Sequence, residues 1–400
     1  MKIKVLISKF NLIVTCLIVA LFGQLSGCAS QKHQPKHSDA NHQQWVQSIV
    51  NYKHNTEHSV DTQALIAAAP ISDEMRSIVL NKFSHLNKRD AAQSLALWLM
   101  SEDGHNMQYD LHADLFPIDA FEQKRGNCLS FTILLVNLAD VLGIKLQYNN
   151  VHIPNTWGLG SEQQEFVLFR HINAVKHSNK ETKIYDLAIE QYDYGFPQKI
   201  ISETEAIASL HSNISTQKFQ AKDYKSAKHH ISYAISLYPK NPDFWVNLGV
   251  VYKKSGQIIN AERSFLHALS INDTDSLAAS NLENLYRAQE QFSKAEYYAK
   301  LAAKARLKNP YVHYQLATNH LKNKRFNLAR KSISKAKKLH NQDPRFFILS
   351  SIIEQHRKNF AAAINDMQTA YSLTANDQDR EYFSKKVRLL AAKTNNQQTN

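Results

Sequence analysis

The hydrophobic and polar positions of this chain follow two different periods. Apolar residues recur every three or four positions over residues 61–122 and again beyond residue 208, which is the spacing of one helix face. The stretches 165–175 and 183–189 alternate instead with a period of two, which is typical of half-buried strands. The pattern therefore predicts a helical region, a short β-hairpin that turns at residues 177–180, and then a long helical region.

The first residues predict an exported chain. Three lysines precede a largely apolar run of 11 residues, Leu12–Phe22, and small residues follow it. This arrangement predicts a secretory signal peptide over residues 1–27, since a spanning helix would need about 20 residues. The tetrad Leu25-Ser26-Gly27-Cys28 resembles the lipobox of bacterial lipoproteins. The resemblance implies that Cys28 is acylated and, with Ala29 after it, that the chain is anchored in the outer membrane and faces the periplasm.

A polar segment follows the lipobox. Residues 29–44, ASQKHQPKHSDANHQQ, have no hydrophobic period, so we predict a flexible tether over residues 28–60. Histidines are frequent there, but they lack the spacing of a metal site on a firm element. A solvated linker is therefore the prediction, and no metal or organic cofactor is expected.

Charge separates the two halves of the chain. Residues 28–207 carry 15 Lys and Arg against 21 Asp and Glu, whereas residues 208–400 carry 30 against 14. The halves should therefore have different electrostatic partners. Nucleic acid is excluded outside the cytoplasm, and anionic lipid head groups, cell-wall polymers or acidic proteins are the expected partners of the basic half.

One thiol remains after export. Cys16 leaves with the signal peptide and Cys28 is consumed by lipid, so Cys128 in the stretch RGNCLSF is the last of the three cysteines. Asn127 is a good N-cap for the apolar run Leu129–Leu142, which predicts Cys128 in the first turn of a buried helix. That position should lower the pKa of the thiol, although an inert buried cysteine is the alternative.

The hairpin supplies a base for this thiol. If it closes symmetrically about Ser178–Asn179, His171 lies directly opposite Asp186, with Cβ atoms about 5 Å apart. A loop of odd length would shift the pairing by one residue. In the predicted register, the carboxylate orients the imidazole and fixes its tautomer.

A cysteine at a helix N-terminus followed by His and Asp on adjacent strands resembles the transglutaminase-like superfamily, within the papain-like fold. RGNCLSFTILLVNLADVLGI resembles that family's nucleophile helix, FRHINAVK its His strand and YDLAIEQY its Asp strand. The resemblance implies that Cys128 is the nucleophile of an acyl transfer, His171 the general base and acid, and Asp186 the orienting residue. The stretch DAFEQKRGNCLSFTILLVNLADVLGI also resembles a related, inactive core that lacks the Cys, and the presence of Cys, His and Asp together argues against that type.

Other residues near these motifs are weaker candidates. The family's side-chain oxyanion donor has no clear counterpart, and Trp157 and Tyr109 are the two candidates for it. His152 and His177 are rival histidines, the first in a strand-like stretch and the second in the predicted turn.

The basic half is an internal repeat of 34 residues. Small residues recur at that step in two series: Ala227, Ala261, Ala295, Ala329, Ala363; and Ala234, Ala268, Ala302, Ala336, Ala370. Leu248, Leu282 and Leu316 keep the same step. This pattern resembles the tetratricopeptide repeat, a helix pair whose small residues allow close packing. The resemblance implies five repeats, a capping helix near 378–393, and a protein or peptide partner on the concave face.

The predicted fold is multidomain: an α+β transglutaminase-like (papain-like) domain followed by an all-α superhelix. Its parts are a signal peptide (1–27), a tether (28–60), the transglutaminase-like domain (61–207), five repeats (208–375), and a capping helix with a disordered tail (376–400). Two functions follow. The first is a thiol amidase, peptidase or transamidase of the envelope. The second is a non-catalytic adaptor whose repeats recruit a protein and whose core is degenerate.

Overall fold

A computed structural model describes residues 40–52, 70–151, 171–177, 182–187, 198–374, 381 and 384–389. The predictions for the signal peptide, Cys28, His152, Trp157 and the C-terminal tail lie outside these residues. Within the described part of the chain from Gln44 onward, the residues form one compact unit. No helix in the described ranges is both long enough and apolar enough to cross a bilayer.

An α+β region precedes the repeats. Its helices are α2 (Asp73–Phe83), α3 (Lys88–Met100), α4 (Pro117–Glu122) and α5 (Cys128–Val141), which follow a first helix, α1 (Ala40–Val50). Its strands are β1 (Gln108–Tyr109), β2 (Arg125–Gly126), β3 (Gln147–Val151), β4 (His171–His177), β5 (Thr182–Tyr185) and β6 (Gln198–Ile201). β1 and β2 form a short parallel pair, and the other four form an antiparallel sheet in the order β5-β4-β3-β6.

The helix boundaries follow from capping residues. Ser72 accepts a hydrogen bond from the Met75 amide and caps the start of α2. Asn127 caps α5, and Gly143, with φ +66°, follows its C-terminal end. α5 is buried along most of its length and packs between the sheet, through β4, and helices α2, α3 and α4. It is the helix around which the α+β region is organised.

A helix lies within the predicted tether. α1 begins at Ala40, and its residue Ile49 is buried against the repeats. The Trp45 ring lies 6.0 Å from Trp245, between ring centroids, and the Tyr52 hydroxyl lies 2.9 Å from His229 Nδ1. The tether prediction is therefore wrong for residues 40–52. The apolar side chains of α1 pack against the repeat array, which is distant from α1 in sequence.

Five helix pairs form the array. They are α6 (Glu203–Gln220) with α7 (Tyr224–Leu237), α8 (Pro242–Lys254) with α9 (Ile258–Ile271), α10 (Ser276–Ala288) with α11 (Phe292–Arg306), α12 (Pro310–Lys322) with α13 (Phe326–Leu339), and α14 (Pro344–His356) with α15 (Phe360–Leu373). Residues 384–389 are also helical, within the range predicted for the capping helix.

The periodic alanines lie on the second helix of each pair, which packs against the first. All ten are at most 1% exposed, which confirms their predicted packing role. Gly249 shows how close the contact is, because a Cβ there would lie 2.4 Å from Phe265 Cε1. The periodic leucines differ: Leu248 and Leu282 are fully buried, but Leu316 is 40% exposed. The period thus predicts burial at the alanines and fails at one leucine.

The exposed Leu316 marks a discontinuity between the third and fourth pairs. Every other pair of consecutive array helices packs together, whereas α11 and α12 barely touch. The apolar core divides at the same place, with one cluster ending at Ala302 and another beginning at Tyr311. α11 continues to Arg306 and is followed by Leu307 in α conformation, where α7 and α9 are followed by a more extended residue. The changed turn leaves Leu316 without the neighbours that bury Leu282.

The first array helix also belongs to the α+β region. Ala206, Leu210 and Ile214 of α6 share an apolar cluster with Leu129 and Ile133 of α5. The boundary predicted between residues 207 and 208 therefore falls inside α6. Because α6 packs against both the α+β region and the array, its apolar pattern does not indicate where one domain ends and the next begins.

Candidate functional site

The helix that carries Cys128 is held at its first turn. The Asn127 side chain accepts a hydrogen bond from the Ser130 amide at 3.0 Å, as its predicted capping role requires. The Thr132 hydroxyl donates to the Cys128 carbonyl at 2.7 Å and lies 3.0 Å from the Ile172 carbonyl on β4. Cys128 is 7% exposed. The thiol is therefore fixed close to the strand that carries His171.

A buried carboxylate links this turn to the array. Asp114 accepts hydrogen bonds from Asn127 Nδ2 at 2.5 Å, from Asn213 Nδ2 at 2.9 Å and from Gln217 Nε2 at 2.8 Å. Asn213 and Gln217 lie on α6, so one carboxylate joins the cap of the Cys128 helix to the first repeat. Burial raises the pKa of Asp114, and these amide donors act in the opposite direction. Nothing in the sequence pattern indicated this residue.

The hairpin register differs from the prediction by two residues. β4 and β5 pair Ala174 with Tyr185 and His177 with Thr182, which is displaced by two residues from a pairing symmetric about Ser178–Asn179. His171 is therefore not directly opposite Asp186, and that prediction is wrong. A shift of two keeps every side chain on its original face, whereas a shift of one would have separated the pair.

The predicted side chains nevertheless meet. His171 Nε2 lies 2.5 Å from Asp186 Oδ2, and Asn173 Nδ2 donates to the same oxygen at 3.2 Å. The Cys128 sulfur, one imidazole nitrogen of His171 and one carboxylate oxygen of Asp186 lie within 4.8 Å of one another. The structure thus brings Cys128, His171 and Asp186 together. The rival His177 lies at the end of β4, where its Nδ1 is 2.8 Å from Thr182 Oγ1.

Asn173 was missed by the sequence reasoning. It lies two residues beyond His171 on the same strand, so the period of two places both side chains on one face. That spacing was the available signal. Its amide and the imidazole hold Asp186 from two positions.

The thiol is less acidic than predicted. Burial raises the pKa of Cys128, and the nearby Asp186 carboxylate raises it further because two negative charges would then adjoin. A backbone amide and the Tyr109 hydroxyl favour the thiolate, but burial outweighs them. The predicted lowering of this pKa is therefore wrong: at neutral pH Cys128 carries its proton.

Tyr109 is the oxyanion candidate that lies within the described residues. β1 pairs Tyr109 with Gly126, which brings this residue close to the turn before Cys128. Burial together with the nearby Cys128 raises the pKa of Tyr109 to about 12. Of the two oxyanion candidates, Trp157 lies outside the described residues.

The same three residues offer ligand types that zinc accepts. Sulfur, imidazole and carboxylate are all common zinc ligands, with bonds of about 2.0–2.3 Å. Two ligands on one tetrahedral ion lie about 3 Å or more apart, however, and His171 Nε2 and Asp186 Oδ2 are 2.5 Å apart. Those two atoms suit a hydrogen bond rather than a shared metal. The geometry favours an oriented imidazole beside a thiol.

A cavity lies elsewhere in the α+β region, and Cys128 is not among its lining residues. A volume of about 660 Å³ is lined by Val136, Asp140 and Tyr148, among others. Asp140 is twelve residues along α5 from Cys128, or about 18 Å at the helical rise. This cavity therefore does not serve the thiol.

Comparison with known proteins concerns the array. Residues 231–263 match the tetratricopeptide repeat family model. No match was found among curated proteins. Among solved structures, MamA from Desulfovibrio magneticus RS-1 is 14% identical, with 42% of this chain and 94% of that chain covered and a TM-score of 0.24. PilF from Pseudomonas aeruginosa is 14% identical, with 48% and 90% covered and a TM-score of 0.26.

A third similar structure, a thermophilic TPR protein from Thermus thermophilus, is 15% identical, with 46% of this chain and 99% of that chain covered and a TM-score of 0.24. These likenesses each cover less than half of the chain and carry no argument about what the array binds. The family match and the five helix pairs together identify the C-terminal half as an array of tetratricopeptide repeats.

Proposed function

We propose that this chain is a scaffold of the bacterial envelope whose repeat array binds a protein or peptide partner. The observation that carries the proposal is the run of five stacked helix pairs over residues 203–373, which includes the matched repeat. Arrays of this kind present extended concave surfaces, and they act by binding partners rather than by catalysis.

Crosslinking in intact cells tests the scaffold. Asn284 and Thr318 are exposed, lie 34 residues apart and occupy equivalent positions on the first helices α10 and α12. A photoreactive amino acid at either position should give one discrete adduct. Ala303, exposed on the second helix α11, is the matched control and should give none. The absence of an adduct at both first-helix positions would count against the scaffold.

A second function is supported by the convergence of Cys128, His171 and Asp186. In this proposal the Cys128 sulfur attacks an amide carbonyl while His171 accepts the thiol proton. His171 then donates that proton to the leaving amine as the C–N bond breaks, and a thioester remains. Water or another amine resolves the thioester. Burial raises the pKa of Cys128, so loss of the thiol proton depends on its transfer to His171.

An activated ester tests the second function. Exposure of the protein to p-nitrophenyl acetate should add one acetyl group at Cys128, measured by intact mass and peptide mapping. His171→Ala should prevent the acylation, and His177→Ala, in the rival histidine, should leave it unchanged. Equal acylation of both variants would show that the imidazole does not serve the thiol.

The envelope location rests on the lipobox. We propose that Cys28 is acylated and that the chain is held at the outer membrane. Globomycin treatment or Cys28→Ser should each leave a precursor of higher mass and stop normal membrane partitioning. Unchanged processing in both cases would remove the lipoprotein proposal.

A further inference from the structure

The segment that runs from the end of the third repeat through the fourth carries an unusual concentration of positive charge. Residues 297–342 contain twelve Lys and Arg and no Asp or Glu. Three of the twelve pair with carboxylates elsewhere: Lys300 with Glu296 at 2.6 Å, Arg330 with Glu354 at 3.3 Å and Lys337 with Asp366 at 2.7 Å. The other nine have no carboxylate within 4 Å among the residues that the structure describes. This segment therefore holds most of its charge uncompensated.

The charges are concentrated on one face of α13. Lys331, Lys335 and Lys338 are spaced by four and three residues, so they share one side of the helix. Ala329 and Ile333, which are fully buried, lie on the opposite side. We call Lys331, Lys335 and Lys338 the α13 basic face; all three are exposed.

This arrangement does not serve the helix itself. Lys331 and Lys335 are like charges four residues apart, which destabilises a helix by a few tenths of a kcal/mol. Lys324 and Arg325 precede α13, and its first turn contains no acidic residue, although a helix N-terminus favours negative charge. These positive charges therefore become energetically favourable only when an external anion binds to them.

The composition distinguishes between two kinds of anionic partner. Nine of the twelve cations are Lys. Protein interfaces are depleted in Lys and enriched in Arg, whose planar fork matches a carboxylate. Leu328 and Leu339, each 47% exposed, flank the α13 basic face. Lysines interspersed with exposed leucines suit a surface of anionic head groups over an apolar layer.

We propose that the α13 basic face binds the surface of a membrane that contains anionic phospholipid. The attraction would hold the fourth repeat against the bilayer, with Leu328 and Leu339 at the head-group level. This contact is independent of acylation at Cys28 and of the partner bound by the array.

Vesicle co-sedimentation tests the proposal with the chain of residues 29–400, which keeps every described residue and carries no lipid. The protein should bind vesicles of phosphatidylglycerol and phosphatidylcholine, release them at high salt and ignore vesicles of phosphatidylcholine alone. The variant with Lys331→Glu, Lys335→Glu and Lys338→Glu should bind on the order of 100-fold more weakly, since each lysine near such a surface contributes about a tenfold attraction or less. Circular dichroism melting checks that this variant folds.

A matched control carries Lys218→Glu, Lys222→Glu and Lys240→Glu. These lysines are exposed on the first repeat, and the change in net charge is the same. The control should keep at least most of the binding. Equal loss in both variants would reduce the effect to net charge and overturn the proposal. Failure to prefer phosphatidylglycerol, or tighter binding to soluble polyglutamate than to the vesicles, would also overturn it, the latter in favour of an acidic polypeptide.

Discussion

The repeat array and the thiol region differ in the contacts that hold them together: those of the array are close in sequence, and those of the thiol region are distant in sequence. In the array, all ten alanines of the period are buried, and each helix packs against a partner that is close in sequence. In the thiol region, Cys128 meets His171 and Asp186 through a sheet whose register depends on one loop. The repeat register of the array can be predicted even if one position is assigned wrongly, because the other repeats still fix it. The second region depends on a few long-range contacts.

The largest expected effect is in the array. Ala261→Arg should lower the free energy of unfolding by about 4 kcal/mol or more, because Ala261 is fully buried and an unpaired charge would be placed there. Ala303→Arg, at an exposed position of α11, is the control and should change it by less than about 0.5 kcal/mol. Urea denaturation measures both. A similar small change in the two variants would contradict the packing of the array.

The array could be predicted because one period fixes many positions at once. Ten alanines, their burial and the five helix pairs all follow from a step of 34 residues. The step could not predict the turn after Arg306, where α11 gains a residue and α12 separates from it. That change depends on local backbone conformation rather than on the apolar pattern.

In the thiol region, the sequence predicted only which face of the hairpin each side chain lies on. Alternation placed His171 and Asp186 on one side of the hairpin, and this survived a register error of two residues. Burial of the sulfur and the proximity of Asp186 to it depend on how α5 packs against the sheet. The pKa of Cys128 was therefore predicted in the wrong direction.

The next effect concerns the link between the two regions. Asp114→Ala should lower the free energy of unfolding by about 3 kcal/mol, because Asn127, Asn213 and Gln217 would lose their buried acceptor. Asp119→Ala, at an exposed position of α4, should cost less than about 1 kcal/mol. Denaturation with urea compares the two. Equal costs would mean that Asp114 does not join the array to the Cys128 helix.

A smaller effect is expected in the titration of the thiol. Asp186→Asn should lower the pH midpoint of Cys128 alkylation, because the carboxylate that opposes the thiolate becomes neutral. The rate of iodoacetamide labelling against pH measures this midpoint. Asp110→Asn, which removes a half-buried carboxylate that is paired with Arg125 just beyond β1, should leave it unchanged. A rise in the midpoint for Asp186→Asn would show instead that Asp186 acts on the thiol through His171.

The smallest effect is expected at the exception within the array. Leu282 and Leu316 occupy the same position of consecutive repeats, but Leu282 is fully buried and Leu316 is 40% exposed. Leu282→Ala should lower the free energy of unfolding by about 3 kcal/mol, which is the usual cost of deleting a buried leucine side chain. Leu316→Ala should change it by less than about 0.5 kcal/mol, since few neighbours lose contact. Urea denaturation of both variants compares identical substitutions at one repeat position. If Leu316→Ala cost as much as Leu282→Ala, α11 and α12 would be packed in solution as the other consecutive helices are, and the array would be continuous through its third and fourth repeats.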